Sequence, residues 1–178
     1  IAPVASFRSG PCMRLSRQAR FHPLKYLAGL RLESEHAGVR FFGRTSLDRI
    51  EADGILTDTG RRITAPHIVI ATHSPVEGTL VFLKEYAYRS YVVGAVVPKG
   101  SVPDVLIWDT EEPYHYVRLA ELDETHDLLI VGGEDHKTGQ PEREDPFSKL
   151  EEWTRQHFSM TEDFRYRWSG QVLEPVDG

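Results

Sequence analysis

The sequence predicts an α+β chain: a mixed, largely antiparallel sheet with packed helices, preceded by a smaller α/β piece. Three observations carry this. From residue 80 onward, runs of strand length and rich in Val, Tyr and Leu, such as residues 86–97 (YAYRSYVVGAVV) and 127–133 (DLLIVGG), are separated by turn residues. Two stretches carry helix-start signals, His22-Pro23 and Asp145-Pro146. Between them, Asp53-Gly54 and Thr59-Gly60 punctuate three short runs in the manner of hairpin turns.

Taken in order, residues 1–21 hold Pro3, Gly10 and Pro11 with no sustained period and read as loop. A helix opens at Pro23, runs to about Ala37 with Leu24, Leu27, Leu30 and Tyr26 along one stripe, and ends at Gly38. Residues 39–42 (VRFF) read as a short strand. Residues 46–51, 55–57 and 61–64 form a meander, and residues 67–71 (HIVIA) a strand buried on both faces. That strand ends in Ala71-Thr72-His73, beyond which ligands sit in open α/β sheets; taken alone, the triplet reads more plainly as a core strand running into a loop. The boundary between a first domain, residues 1–76, and a second, residues 77–178, falls just after it. Strands follow at 79–83, 86–97, 105–108, 115–119 and 127–133, then a polar loop over 134–144. The helix from Pro146 shows an apolar face of Phe147, Leu150, Trp153 and Phe158, and residues 164–172 close the sheet.

Composition narrows the function. The 178 residues are 40% hydrophobic and 27% charged, the balance of a globular protein with a core. A formal net charge of −6 with scattered basic residues argues against a nucleic-acid partner. No run approaches the roughly 18 apolar residues of a membrane span. The single cysteine, Cys12, makes no internal disulfide, so a reducing compartment, the cytoplasm, is the expected location. Zinc and serine-hydrolase motifs are missing: there is no C-x-x-C, H-E-x-x-H or G-x-S-x-G. No G-x-G-x-x-G or P-loop is present either.

Several residues remain as site candidates. Gly132-Gly133 lets another group approach the backbone, with His136 just beyond to donate or carry a proton; a solvated loop is the plainer reading. Arg89, Tyr91 and Arg118 stand in strand runs, where an inward arginine can clamp a carboxylate bidentately. Trp168 and Gln171 could line a flat pocket with a polar edge, or belong to an ordinary core. The other tryptophans and the tyrosines read as core. His22 reads as the cap of the first helix.

An ordered set of segments resembles a known family. QARFHPLKYLAGLRLE at 18–33, GVRFFGRT at 38–45, TDTG at 57–60, APHIVIATHSP at 65–75, RSY at 89–91, GGEDHKTG at 132–139 and RWSGQ at 167–171 resemble, in this order, the central region of FAD-dependent oxidoreductases of the D-amino-acid-oxidase type. The branch most resembled is the one whose members often carry a C-terminal Rieske iron–sulfur domain. The resemblance implies that residues before about 76 complete an FAD-binding layer and that the later sheet is the substrate-binding domain. It implies that Leu47 runs beside the adenine end of FAD and that Ala71, Thr72 and His73 sit near the cofactor where the domains meet. It also implies that Trp168, Gln171, Asp177 and Gly178 approach the flavin ring. Arg89, Tyr91, Arg118 and His136 are the expected substrate-facing, catalytic set.

The implied reaction is oxidation of an amine-bearing small molecule or amino acid by hydride transfer to FAD. The glycine fingerprint, the last FAD-contacting segment and the Rieske ligands lie outside these residues, so the chain is expected to be a fragment, inactive alone, with N- and C-terminal segments of the same chain as partners. Apolar surface left on the first helix and on 67–71 would favour a dimer. The competing reading is a non-catalytic α+β module that binds a small ligand or a protein. The purified chain is expected to carry no FAD, which an absorbance spectrum checks; a flavin band near stoichiometric level contradicts it.

Overall fold

The computed structural model describes residues 10–73, 85–140 and 144–176. The chain divides into two compact units, one of Arg14–His73 and one that takes in the described residues from 85 onward.

The first unit begins with helix α1 (Pro23–His36). His22 Nδ1 accepts the Lys25 N–H at 3.4 Å and Pro23 takes the first helical position, where its missing N–H costs nothing. At the other end Gly38 has φ 92°; its N–H reaches Glu35 O at 3.0 Å while the Val39 N–H reaches Ser34 O at 2.9 Å. This pair of bonds is the Schellman closure that glycine permits. No residue of α1 is buried, and Leu24, Tyr26, Leu27 and Leu30 are all at least half exposed.

An antiparallel meander follows: β1 (Leu47–Glu51), β2 (Gly54–Thr57) and β3 (Arg62–Thr64). Gly54 is required there, because a Cβ would lie 2.2 Å from the Ile63 carbonyl oxygen across the β2–β3 pair. The second turn closes on buried Thr57, whose hydroxyl accepts the Arg61 N–H at 3.0 Å. These three strands match the sequence reading.

Two expected strands do not form. Residues 39–42 and 67–71 have no strand pairing, and Val69 is 89% exposed instead of buried on both faces. An apolar run becomes a strand only when a neighbour takes up its N–H and C=O groups. No described segment pairs with either run.

The second unit is a five-stranded sheet in the order β5-β6-β7-β4-β8, antiparallel throughout, with one helix packed on it. The strands are β4 (Glu85–Pro98), β5 (Ile107–Trp108), β6 (His115–Glu121), β7 (His126–Lys137) and β8 (Phe164–Pro175), and the helix is α2 (Pro146–His157). The α+β expectation therefore holds. The strand expected at 79–83 lies outside the described residues. Asp145 caps α2 as expected: its Oδ2 accepts the Ser148 hydroxyl at 2.8 Å and the Ser148 N–H at 3.1 Å, which hold its carboxyl below the usual range.

Side chains alternate across the sheet, so directly paired residues share a face. Val93, Ala95 and Val97 of β4, Leu129 and Val131 of β7, and Val117 and Leu119 of β6 form one buried face with Leu150 and Phe158. Each such side chain contributes about 1.5–3 kcal/mol on burial. Thr154, also fully buried in α2, satisfies its hydroxyl on Leu150 O at 2.6 Å.

One correction concerns 134–137, expected as loop. β7 runs through Lys137, because Arg89 and Tyr88 pair with His136 and Lys137. The register slips by one residue between Arg89 and Tyr91, where Gly133 (φ 149°) and Glu134 (φ 53°) form a β-bulge. Pairing with β4 outweighs the polarity that suggested a loop.

Leu150→Ala should empty a fully buried position and lower unfolding stability by about 2–5 kcal/mol in a denaturant titration. A loss no larger than that of an exposed substitution would contradict this packing.

Candidate functional site

The sheet of the second unit has two unlike faces. One is covered by α2. The other carries Tyr88, Ser90 and Val92 of β4, Tyr116 and Arg118 of β6, and Tyr166, Trp168 and Val172 of β8, placed together by the register. We call this the open face. Tyr166, Trp168 and Val172 remain substantially exposed on it, Trp168 at 43%. Glycines flatten the surface under the rings. At Gly132 a Cβ would lie 2.1 Å from the Tyr116 ring, and at Gly94 it would meet Tyr166 at 3.2 Å. Tyr116 and Tyr166 therefore lie down on the sheet.

Arg118 stands in this aromatic field. Its Nε is buried and has no hydrogen-bond partner among the described residues. A desolvated guanidinium N–H without an acceptor is costly, and a carboxylate is the acceptor it fits best. Beside it, burial pushes the Tyr116 phenol above its ordinary value. Tyr114 donates to Asp135 Oδ2 at 3.1 Å, and burial together with the Asp135 charge pushes it up to about 12. Both phenols stay protonated donors through the physiological range.

The other candidates lie elsewhere. Arg89, Tyr91 and His136 cluster at one end of the helix-covered face. Tyr91 stacks on His136 with centroids 5.4 Å apart and meets Phe147 of α2 edge-on at 5.1 Å. Arg89 donates from Nη1 to Ser169 Oγ at 3.0 Å, and Gln171 is its direct partner on β8. Three of the four expected catalytic residues are thus brought together, and Arg118 is on the opposite face. Trp168 and Gln171 are likewise divided, Trp168 on the open face and Gln171 on the other.

The cofactor-side candidates of the first unit are described within that unit alone. Leu47 is half-buried at the start of β1, opposite Thr57. Ala71, Thr72 and His73 are exposed, and His73 has φ 66°. Asp177 and Gly178 lie outside the described residues.

Sequence reasoning assigned Tyr114, Tyr116 and Tyr166 to the core. The signal that could have separated them was the two-residue period in residues 114–119. Tyr114, Tyr116 and Arg118 alternate there with His115, Val117 and Leu119, and only the second set is buried.

The open face thus presents flat aromatic rings around a desolvated arginine. Compared with known families, residues 2–178 match the FAD dependent oxidoreductase (DAO) family. The chain belongs to that family of FAD-dependent oxidoreductases. Among curated proteins it is similar to YhfW of Bacillus subtilis (strain 168), provisionally named a Rieske 2Fe-2S iron-sulfur protein. The two are 29% identical over 171 residues, covering 92% of this chain and 33% of that protein. The chain thus spans about a third of the length of this curated relative. No solved structure matches the chain. Among the described residues, no helix is long and apolar enough to cross a membrane.

The raised Tyr114 value has a signed consequence. Between its ordinary value near 10 and about 12, the unfolded chain loses this proton and the folded chain keeps it, so folding stability falls as pH rises through that window. Tyr114→Phe should flatten that decline in alkaline denaturation curves. An unchanged slope would contradict the Asp135-paired phenol.

Proposed function

We propose that the chain supplies the substrate-binding sheet, and part of the FAD-binding layer, of an oxidoreductase that oxidises a small amine-bearing acid. The observation that carries this is Arg118: a buried guanidinium Nε without an acceptor, set among flat aromatic rings on an uncovered sheet face. An α-amino acid offers a carboxylate for the arginine and an apolar body for the rings.

The residues present suit one end of FAD. Trp168 and Tyr166 give a planar, half-exposed surface against which a ring system can lie, while the sequence holds no G-x-G-x-x-G to cradle a pyrophosphate. On this reading Trp168 stands near the ring, and Gln171, on the opposite face, does not. FAD would supply the acceptor for the hydride that leaves the amine-bearing carbon. Arg118 would fix the carboxylate and thereby aim that carbon. Tyr116, held protonated by burial, would donate a hydrogen bond, and the aromatic field would exclude water.

A second reading is favoured by the Arg89–Tyr91–His136 cluster. There Arg89 would be the clamp, and Tyr91 and His136 the hydrogen-bonding and proton-carrying pair. The Rieske name of the relative suggests an iron–sulfur centre as electron acceptor in the whole protein. With Cys12 its single cysteine, this chain offers no Rieske ligand set.

The test is turnover by the whole, FAD-loaded protein on amino acids. Arg118→Ala should remove a charged hydrogen bond worth about 1.5–3 kcal/mol, lowering kcat/KM roughly 10- to 150-fold. The same amine without its carboxylate should show no such loss. Unchanged turnover in Arg118→Ala, with a loss in Arg89→Ala or His136→Ala, would transfer the site to the second reading. No change in any of the three would remove both.

A further inference from the structure

Away from Arg118, on the helix-covered face, His115 sits between carboxylates on both sides of its ring. Only 4% of it is exposed. Nδ1 lies 2.8 Å from Asp109 Oδ2 and 4.0 Å from Glu111 Oε2. Nε2 lies 3.5 Å from Glu134 Oε1 and is buried without a hydrogen-bond partner. One face of the imidazole is stacked on Trp153 of α2 at 4.3 Å. The Glu134 carboxylate is held from behind by Lys149 Nζ at 3.5 Å.

The local fold builds this arrangement. Asp109 Oδ1 accepts the His115 N–H at 2.7 Å and the Glu111 N–H at 3.4 Å, which fixes the carboxylate and leaves Oδ2 pointing at Nδ1. Gly133 allows β7 to press against β6 at this level, since a Cβ there would lie 2.3 Å from Tyr114 O and 3.2 Å from the His115 Cα. The bulge then turns Glu134 toward Nε2.

A neutral imidazole has one N–H and one lone pair. Whichever tautomer is present, one ring nitrogen turns its lone pair toward a carboxylate oxygen in a buried setting, which is unfavourable. A cation on the Nδ1 side is one arrangement that relieves this. The Nδ1 lone pair, Asp109 Oδ2 and Glu111 Oε2 become ligands, and the Nε2 proton faces Glu134. That is the carboxylate–histidine–metal pattern in which an outer carboxylate orients the ring.

The three ligand atoms lie within 4.8 Å of one another. Neighbouring ligand atoms around zinc, each about 2.0–2.2 Å from the ion, stand roughly 3–3.5 Å apart. The 2.8 and 4.0 Å separations bracket that range, and the Glu111 side chain is exposed enough to close in. One imidazole and two carboxylates suit zinc better than calcium or magnesium. We propose that Asp109, Glu111 and His115, oriented by Glu134, form a structural zinc site that ties the 109–115 segment to β7 and α2.

The test is calorimetric titration of the chelator-stripped whole protein with zinc chloride. The expected result is saturable uptake assigned to this site by its variants. Glu111→Gln, an exposed change that circular dichroism should show to leave the fold intact, should weaken this uptake roughly tenfold or more, and Glu134→Gln roughly 10- to 100-fold. No saturable uptake, or uptake that neither substitution weakens, would overturn the proposal.

Discussion

The second unit depends on one constraint: β4 is hydrogen-bonded on both edges, so every residue along it must face one side of the sheet or the other. Tyr91, Val93, Ala95 and Val97 go under α2. Tyr88, Ser90, Val92 and Gly94 go to the open face. The neighbours follow through the register, so one strand decides which groups pack and which are presented. Shifting β4 by a residue would exchange its two sets, placing Tyr88, Ser90 and Val92 under the helix and Tyr91, Val93 and Val97 on the open face.

The bulge at Gly133–Glu134 is the one place where this alternation is broken, and it organises what lies around it. It brings His136 onto the face of Tyr91 and Arg89, where the imidazole stacks on the phenol ring. It also turns Glu134 back toward His115 and Lys149. The price is a non-glycine residue at positive φ, Glu134 at 53°, held by the pairing on both sides. The helix-covered face therefore gathers Arg89, His115, Glu134 and His136, and the open face carries flat aromatic rings with Arg118 and, at one end, Lys137 over the Tyr86 ring. Such a division suits a sheet that is stabilised from one side and binds from the other.

The sequence made much of this legible where local chemistry decides. His22-Pro23 and Gly38 mark α1 because capping and left-handed backbone are local requirements, and Asp145-Pro146 works the same way. β4 was legible because its Val and Tyr content reaches strand length. What failed depends on partners. Residues 67–71 have strand composition and no described neighbour, whereas 134–137 have loop composition and β4 beside them to pair with. The division of Arg118 from Arg89, Tyr91 and His136 turns on register, which no motif records. The two-residue alternation around Tyr116 and Arg118 was the one readable sign of it. The family itself was legible in the ordered segments, and the match over residues 2–178 agrees.

The central claim is that the open face is the ligand face and that Arg118 is its anchor. The most direct measurement is a crystal structure of the whole protein with FAD and a bound small amine-bearing acid. The account predicts the carboxylate within hydrogen-bond reach of the Arg118 guanidinium, over the Tyr116 and Trp168 rings. A carboxylate held instead by Arg89 and His136, or a ligand with no contact to the open face, would contradict it.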